Sequence, residues 1–596
     1  MNKEAKEGYI NRRNSANKDI ARLKKRLQQL VVFRLLSFSV FVLGVYLSFT
    51  QGTIFSLILL LGLLAFLFLV KRHKLVKQSL VFQKALKAGL DDELAVMDGA
   101  LPNLSVYEAE LPPRHPFAHD LDLFGANSIF HLLNRCYTID GKALLAKRIS
   151  TIDASEPVLQ GRQALCKEAS KAHEWRLQMR AAGSLLQQTH AAMLALKSWC
   201  SAPVHRQAPA WTKLAMYVAP VYSVLAILGA YFGVISISLM LLLFIIPMSL
   251  VGSRLKIHNE LSNNLGHTKQ SLDTLQHLFN VAPQVPNDAP HLKQLADEVV
   301  AANKAIKELA GIVEMFDQRN NLLAVIVLNA LFVQDLRSER RLMSWLENHG
   351  VHLNTWLSIL AELEMLSSLG TWAHHVAQES VYPSFDDSVA VQAEQLKHPF
   401  MLHSKGVSNA VDLPEFPSFN IITGANMAGK STYLRTVGCA YVMANTGLPV
   451  MATSFVFSAA PLFTSMRTTD SLQEGKSYFL SELERLAQLI SMAKQERPMV
   501  VLLDEILKGT NSNDKASGSQ SFVRQLMKYK VAGMVATHDL SLCSITQDYP
   551  KMKNVHFAAD IKGDDLSFDY RLKPGVCDTM NATFLMKKLG IIDVEL

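Results

Sequence analysis

Phe419-Asn-Ile-Ile-Thr-Gly424-Ala-Asn426-Met-Ala-Gly429-Lys430-Ser431-Thr432-Tyr-Leu-Arg-Thr-Val437 decides the fold of this 596-residue chain. It reads as a short β-branched strand, a glycine loop and a helix, which is the context a GxxxxGK[ST] phosphate loop requires. Gly424 and Gly429 let backbone N–H groups close around phosphates with no Cβ in the way. The helix N-terminus adds its positive end. Lys430 supplies a point charge for the β- and γ-phosphates, and the Ser431 hydroxyl, followed by Thr432, can ligate Mg²⁺.

Two further apolar runs complete the pattern. Pro498-Met-Val-Val-Leu-Leu-Asp504-Glu505 is continuous and apolar, as suits a strand buried on both faces of a parallel sheet. It ends in two carboxylates: Asp504 to hold the metal, Glu505 to activate the attacking water. Val531-Ala-Gly-Met-Val-Ala-Thr537 is a third strand ending at His538, a histidine placed to sense a γ-phosphate. Between the first two strands, Asp470-Ser-Leu-Gln-Glu-Gly475-Lys476-Ser477 is a polar turn before a helix, which a simple helix entry explains equally well. The expected cofactors are ATP and Mg²⁺, with Glu505, Lys430 and His538 as the catalytic set.

These residues resemble a MutS-family ATPase. That family carries GPNMxGKST, where this chain has GANMAGKST with Ala425 in place of proline. Asp504-Glu-Ile-Leu-Lys-Gly-Thr510-Asn-Ser-Asn-Asp514 is similar to DEIGRGTSTYDG, and Ala536-Thr-His538 matches ATH. Arg571-Leu-Lys-Pro-Gly575 and the segment after it resemble the family's C-terminal dimerising region. Leu121-Asp-Leu-Phe-Gly, Ser128 to Asn134, Ala361 to Leu369 and His398-Pro399 resemble the bounds of its helical core. The resemblance implies an ABC-type dimer in which Ser477 reaches the nucleotide of the opposite subunit. It also implies Asn426 beside the phosphates and His556 against the adenine.

Outward from this head, residues 120–380 read as mostly helical, as in the apolar-striped Leu292–Ala310 stretch. Four apolar runs fall in two pairs, Val31–Phe49 with Ile54–Val70 and Leu214–Tyr231 with Val234–Val251. Each is close to the roughly 20 residues that cross a bilayer core. Arg22, Lys24, Lys25 and Arg26 precede the first pair, Lys71, Arg72 and Lys74 follow it, and Arg254 and Lys256 follow the second. The positive-inside rule then puts the termini and the segment between the pairs in the cytoplasm, on a multi-pass protein of the inner membrane. The formal charge of +8 permits contact with anionic lipid or nucleic acid and demands neither. The six cysteines show no metal spacing and read as reduced thiols.

The expected fold is an α/β P-loop NTPase domain, ABC-type and MutS-like, preceded by an all-α core and lever domain and two transmembrane helical hairpins. Residues 1–30 form a basic amphipathic segment, 31–70 the first hairpin and 71–119 a linker. The core spans 120–400, interrupted by the second hairpin at 214–251, and the ATPase domain spans 401–596. The family's mismatch readers carry a Phe-x-Glu wedge and a clamp inserted in the core. Here a basic helix and a hairpin stand in the first place, and Ser338–Gly350 is too short for the second. The expected partners are a second copy of the chain and the lipid bilayer, with DNA left open. An ABC-transporter-like ATPase and an ATP-binding membrane scaffold are the competing readings. Against the first, no LSGGQ-like sequence precedes the carboxylate strand; against the second, Lys430, Asp504 and Glu505 are intact.

Overall fold

The computed structural model describes residues 3–577, excluding 105–106, 110, 113, 153–154, 186–196, 198–208, 267, 318, 320, 403–405, 426, 468–477 and 563–564. Two long helices open it: α1 (Lys3–Thr50, 48 residues) and α2 (Ser56–Met97, 42 residues). At 1.5 Å per residue they extend about 70 and 60 Å. The basic lead, expected as a separate segment, therefore runs unbroken into the first apolar run. The expected linker after residue 70 likewise begins as the lower half of α2. Neither junction holds a proline or glycine, so nothing ends either helix there. The pair is closely apposed at two glycines: a Cβ on Gly44 would lie 2.5 Å from the Leu59 amide nitrogen, and one on Gly62 would lie 2.7 Å from that of Phe41. Such small-residue contacts are how helices pack where water supplies no driving force.

The helical core follows as α3 (Ile129–Leu133), α4 (Ile139–Ser150), α5 (Glu156–Lys171) and α6 (His173–Ser184). The second apolar pair is α7 (Ala210–Tyr231) with α8 (Ile237–Leu243) and α9 (Ile245–Gly252). The core resumes with α10 (Leu255–Gly266), α11 (Lys269–Val281), α12 (Pro290–Asp297), α13 (Val300–Asp317), α14 (Leu322–Phe332), α15 (Gln334–His349) and α16 (Leu353–Val376). Helices α1, α2 and α7 are long and apolar enough to cross a membrane, and a fourth span is reached if α8–α9 is taken with α10 across a 63° bend. Between α15 and α16 the chain turns through Gly350–His352 alone.

Two sheets make up the C-terminal third. Strands β1 (Ser384–Phe385), β2 (Val391–Leu396), β3 (Asn409–Leu413) and β5 (Ser454–Phe457) form a small sheet ordered β1-β5-β2-β3. The large sheet takes β4 (Ser418–Gly424), β6 (Leu462–Ser465), β7 (Met499–Asp504), β8 (Val531–Ala536), β9 (Met552–Lys562) and β10 (Asp565–Pro574), ordered β10-β9-β4-β8-β7-β6. All its pairings are parallel except the β9–β10 hairpin at the edge. Every residue of β4 and β8 is buried, as suits central strands covered on both faces. Among the described residues, the head also holds helices α17 (Lys430–Thr446), α18 (Tyr478–Ala493) and α19 (Ser512–Leu526). Arg571–Pro574, expected in a dimerising region, belong to edge strand β10; the segment after residue 577 lies outside the described residues.

Head and core share one hydrophobic interior. The connecting wedge is Arg114–Phe124: Asp120 accepts from Thr464 Oγ1 at 2.6 Å and from the Arg467 amide at 2.9 Å. Asp122 pairs with Arg435 at 3.2 Å, on the helix that starts at the glycine loop. A carboxylate of the core is thus tied directly to the helix that follows the glycine loop.

Candidate nucleotide site

The C-terminal ends of β4, β7 and β8 meet at one edge of the large sheet, where ligands of open parallel sheets bind. Gly424 ends β4 at φ +143°, and a Cβ there would lie 2.6 Å from the Phe557 carbonyl oxygen. Gly429 has φ +104° and caps α17. Only glycine takes both positions without strain. Lys430, the first residue of α17, is buried, and its Nζ donates to the carbonyls of Gly424 at 2.8 Å and Ala425 at 3.0 Å. Burial pushes its ammonium pKa down, against the opposing pull of Glu505 and Asp504.

Asp504 closes β7 in register with Ala536 of β8, so the carboxylates and His538 lie on adjacent strand ends. His538 Nε2 sits 2.9 Å from Glu505 Oε1 and 3.2 Å from Lys430 Nζ. A single ring nitrogen cannot donate to the carboxylate and accept from the ammonium at once. The hydrogen bond from His538, aided by Lys508 at 3.7 Å, brings the Glu505 carboxyl down to about 2 despite partial burial. A depressed carboxyl contributes stability that is full above its ordinary value near 4.5 and fades as the pH falls toward 2. Removing the principal cause must move that window upward. His538→Ala is therefore expected to shift the acidic limb of the kcat/KM profile for ATP toward higher pH. An unmoved limb would show that His538 does not set Glu505's ionisation.

A cleft of about 520 Å³ opens over these groups. Its floor includes Gly429, Lys430, Ser431, Thr432, Glu505 and His538, and its far wall is Leu396, His398, Met401, Val407 and Tyr570. That wall is the part which reading the sequence missed. His398 stacks on Phe400 with ring centroids 5.6 Å apart, and burial lowers its pKa to about 4, so it is neutral at pH 7. Tyr570 hangs over Gly429 because Asn409 grips β10: its side chain donates to the Tyr570 carbonyl at 3.0 Å and accepts from the Leu572 amide at 2.8 Å. These contacts join residues about 160 positions apart, so no local pattern announces them. His556 lies on β9 opposite Thr423, with Nδ1 3.2 Å from the Gly575 carbonyl oxygen, and does not line the cleft. Asn426 and Ser477 lie outside the described residues.

The donor set fits a magnesium nucleotide. Among the described residues, no group of three or more His, Cys, Asp or Glu side chains could hold a metal by itself. Ser431 and Asp504 offer two oxygens, which suits Mg²⁺, a cation that keeps several waters and completes its shell with phosphate oxygens.

Residues 420–588 match the model of MutS domain V. The chain is 30% identical over 241 residues to human MutS protein homolog 4 and 31% identical over 241 residues to the DNA mismatch repair protein MutS of Natronomonas pharaonis. It is 26% identical over 334 residues to the MutS of Thermotoga maritima. These alignments take in 39%, 39% and 55% of this chain, but only 25%, 27% and 38% of the respective relatives. The chain thus spans well under half the length of the curated relatives it matches.

Proposed function

Since this chain is a MutS-family protein, matched over its nucleotide-binding head, we propose that it is a membrane-anchored, dimeric ATPase whose nucleotide cycle moves its helical core relative to the bilayer. The observation that carries this reading is the convergence of Lys430, Glu505 and His538 within 3.2 Å contacts on the cleft floor. Lys430 and the α17 N-terminus bind the phosphates. Glu505, held ionised, takes a proton from the attacking water, and His538 holds the carboxylate in place. Ser431 and Asp504 would hold Mg²⁺, which would supply charge neutralisation for phosphoryl transfer. The base lies along the apolar wall beside His398, and His556, outside the cleft, has no contact with it in this reading; by the family resemblance, Asn426 and the partner copy's Ser477 would act on the phosphates. Hydrolysis reaches the core through Arg435 and Asp122, which joins α17 to the wedge.

In this reading the head stands at the cytoplasmic face of the inner membrane, which the basic residues flanking the apolar pairs support. DNA is the second partner to test, because the relatives' names concern DNA mismatch repair. The experiment is ATP turnover by the full chain in nanodiscs, alone and with homoduplex, mismatched or branched DNA. Turnover in the absence of DNA supports the ATPase. Stimulation or salt-sensitive binding by any duplex adds DNA to the reading, and no effect of any duplex confines the switch to the membrane. No turnover under any condition sinks the proposal.

A further inference from the structure

Helix α14 belongs to neither apolar pair, yet its sequence Leu-Leu-Ala-Val-Ile-Val-Leu-Asn-Ala-Leu-Phe (322–332) is nearly all apolar. We propose that α14 is a re-entrant membrane element, entering the cytoplasmic leaflet of the bilayer from the helical core and returning on the same side. This rests on the membrane reading of the hairpins and extends it.

The depth of its two ends is fixed by charged residues at the base of the hairpins. Lys74, four residues past the first hairpin's apolar run, bonds Glu314 at 2.5 Å, and Lys269 bonds Asp317 at 2.6 Å. Helix α13 therefore ends at the level where the first hairpin emerges. Arg254, at the exit of the second hairpin, donates from Nε to Glu339 Oε2 at 2.9 Å, and His258 Nε2 meets the same oxygen at 2.9 Å. Arg319 before α14 and Asp335 after it form an ion pair at 3.5 Å, and Arg319 also donates to Asn259 at 2.8 Å. Entry and exit are thus stapled together within this collar. The 11-residue helix between them is about 16 Å long, so with both ends at the collar it stays within the cytoplasmic half of a roughly 30 Å hydrocarbon core.

The flank of α14 supports the same depth. Helix α7 buries Thr212, Ala215, Ala219, Ser223 and Ala226, a stripe of small residues. Ser223 lies nine residues inside the apolar run of α7 and donates to the Ala330 carbonyl at 2.8 Å. The helix stops at Val333 in a left-handed conformation, which leaves terminal carbonyls without helical partners. In hydrocarbon such groups must be satisfied by protein. Arg337 Nε donates to the Phe332 carbonyl at 2.8 Å, and Nη2 reaches that of Met216 at 2.5 Å. The outer face remains open: Val327 is 52% exposed, beside the 62% of Leu225 on α7. Lipid acyl chains are the partner this surface fits, because it continues the apolar band of the hairpin.

The test is maleimide labelling of single introduced thiols in full-length protein reconstituted in liposomes, read by difference from the unsubstituted protein. L60C and L225C report the hairpins, V327C reports α14, and S358C reports an aqueous helix surface. Maleimide needs a thiolate, which hydrocarbon does not support, so V327C should label as slowly as L60C and L225C and at least about tenfold slower than S358C. If V327C labels at the S358C rate while the hairpin thiols stay protected, the re-entrant assignment is overturned and the anchor stands. If all label at the S358C rate, the membrane reading fails and the assignment goes with it. Should V327C not fold, as judged by lost ATP turnover, I326C on the same exposed face repeats the measurement.

Discussion

Glu505→Gln is expected to lower ATP turnover by ~10²–10⁴-fold, the range that a positioned general base contributes, while leaving ATP binding intact. The amide keeps the size of the side chain but cannot take a proton from water. It can still meet His538 Nε2 through its carbonyl oxygen, so the floor of the cleft is retained. The Lys430 contacts to Gly424 and Ala425 do not involve Glu505 and should persist. Turnover and equilibrium binding of a fluorescent ATP analogue separate the two effects. Parent-rate hydrolysis by the variant would remove Glu505 from the base role, and loss of binding would make it a structural residue of the cleft. If the partner copy completes the nucleotide site, as the dimer proposal holds, the variant, keeping its ATP, should also accumulate as a dimer on size-exclusion chromatography.

The strand-loop-helix geometry of this site was legible because it is written in local patterns. Strand β4, its glycine loop and α17 are consecutive, and the apolar runs of β7 and β8 lead directly to Glu505 and His538, which meet at 2.9 Å. What the sequence could not carry is the pairing between distant segments. The cleft wall formed by His398, Met401 and Tyr570 depends on the grip of Asn409 on β10, and α14 fell below the length read as a span. Leu507 is an intermediate case. The resembling motif has glycine there, and the structure gives the physical reason: the position has φ +59°, in the left-handed region that costs a branched residue about 1–2 kcal/mol. This chain accepts that cost with Leu507 nearly fully buried, so the substitution adds apolar packing behind the carboxylate strand.

Glu93→Ala should produce the largest loss of stability of any single substitution considered, about 3–5 kcal/mol, the usual result of removing one partner from a buried ion pair. Glu93 of α2 is 1% exposed and accepts from Arg135 Nε at 3.1 Å and Nη2 at 3.0 Å. Arg180 of α6 pairs with it as well, and His375 of α16 lies 3.5 Å away. Tyr9 of α1 joins through His375 Nε2 at 3.0 Å. Burial drives His375 well below its ordinary pKa, so it is neutral and Glu93 faces two guanidinium cations. Without the carboxylate both remain desolvated, with Asp92 left to partner Arg180 alone. Lys6→Ala is the contrasting control: its pair with Asp98 is solvent-exposed on both sides and should contribute under about 1 kcal/mol. Denaturant unfolding of the purified protein, followed by tryptophan fluorescence, distinguishes the two. Equal midpoints for the variants would mean that the Glu93 cluster is neutral to stability. A large gap would locate the main fastening between the two N-terminal helices and the core at this one carboxylate, because the cluster draws side chains from α1, α2, α6 and α16 into a single buried contact.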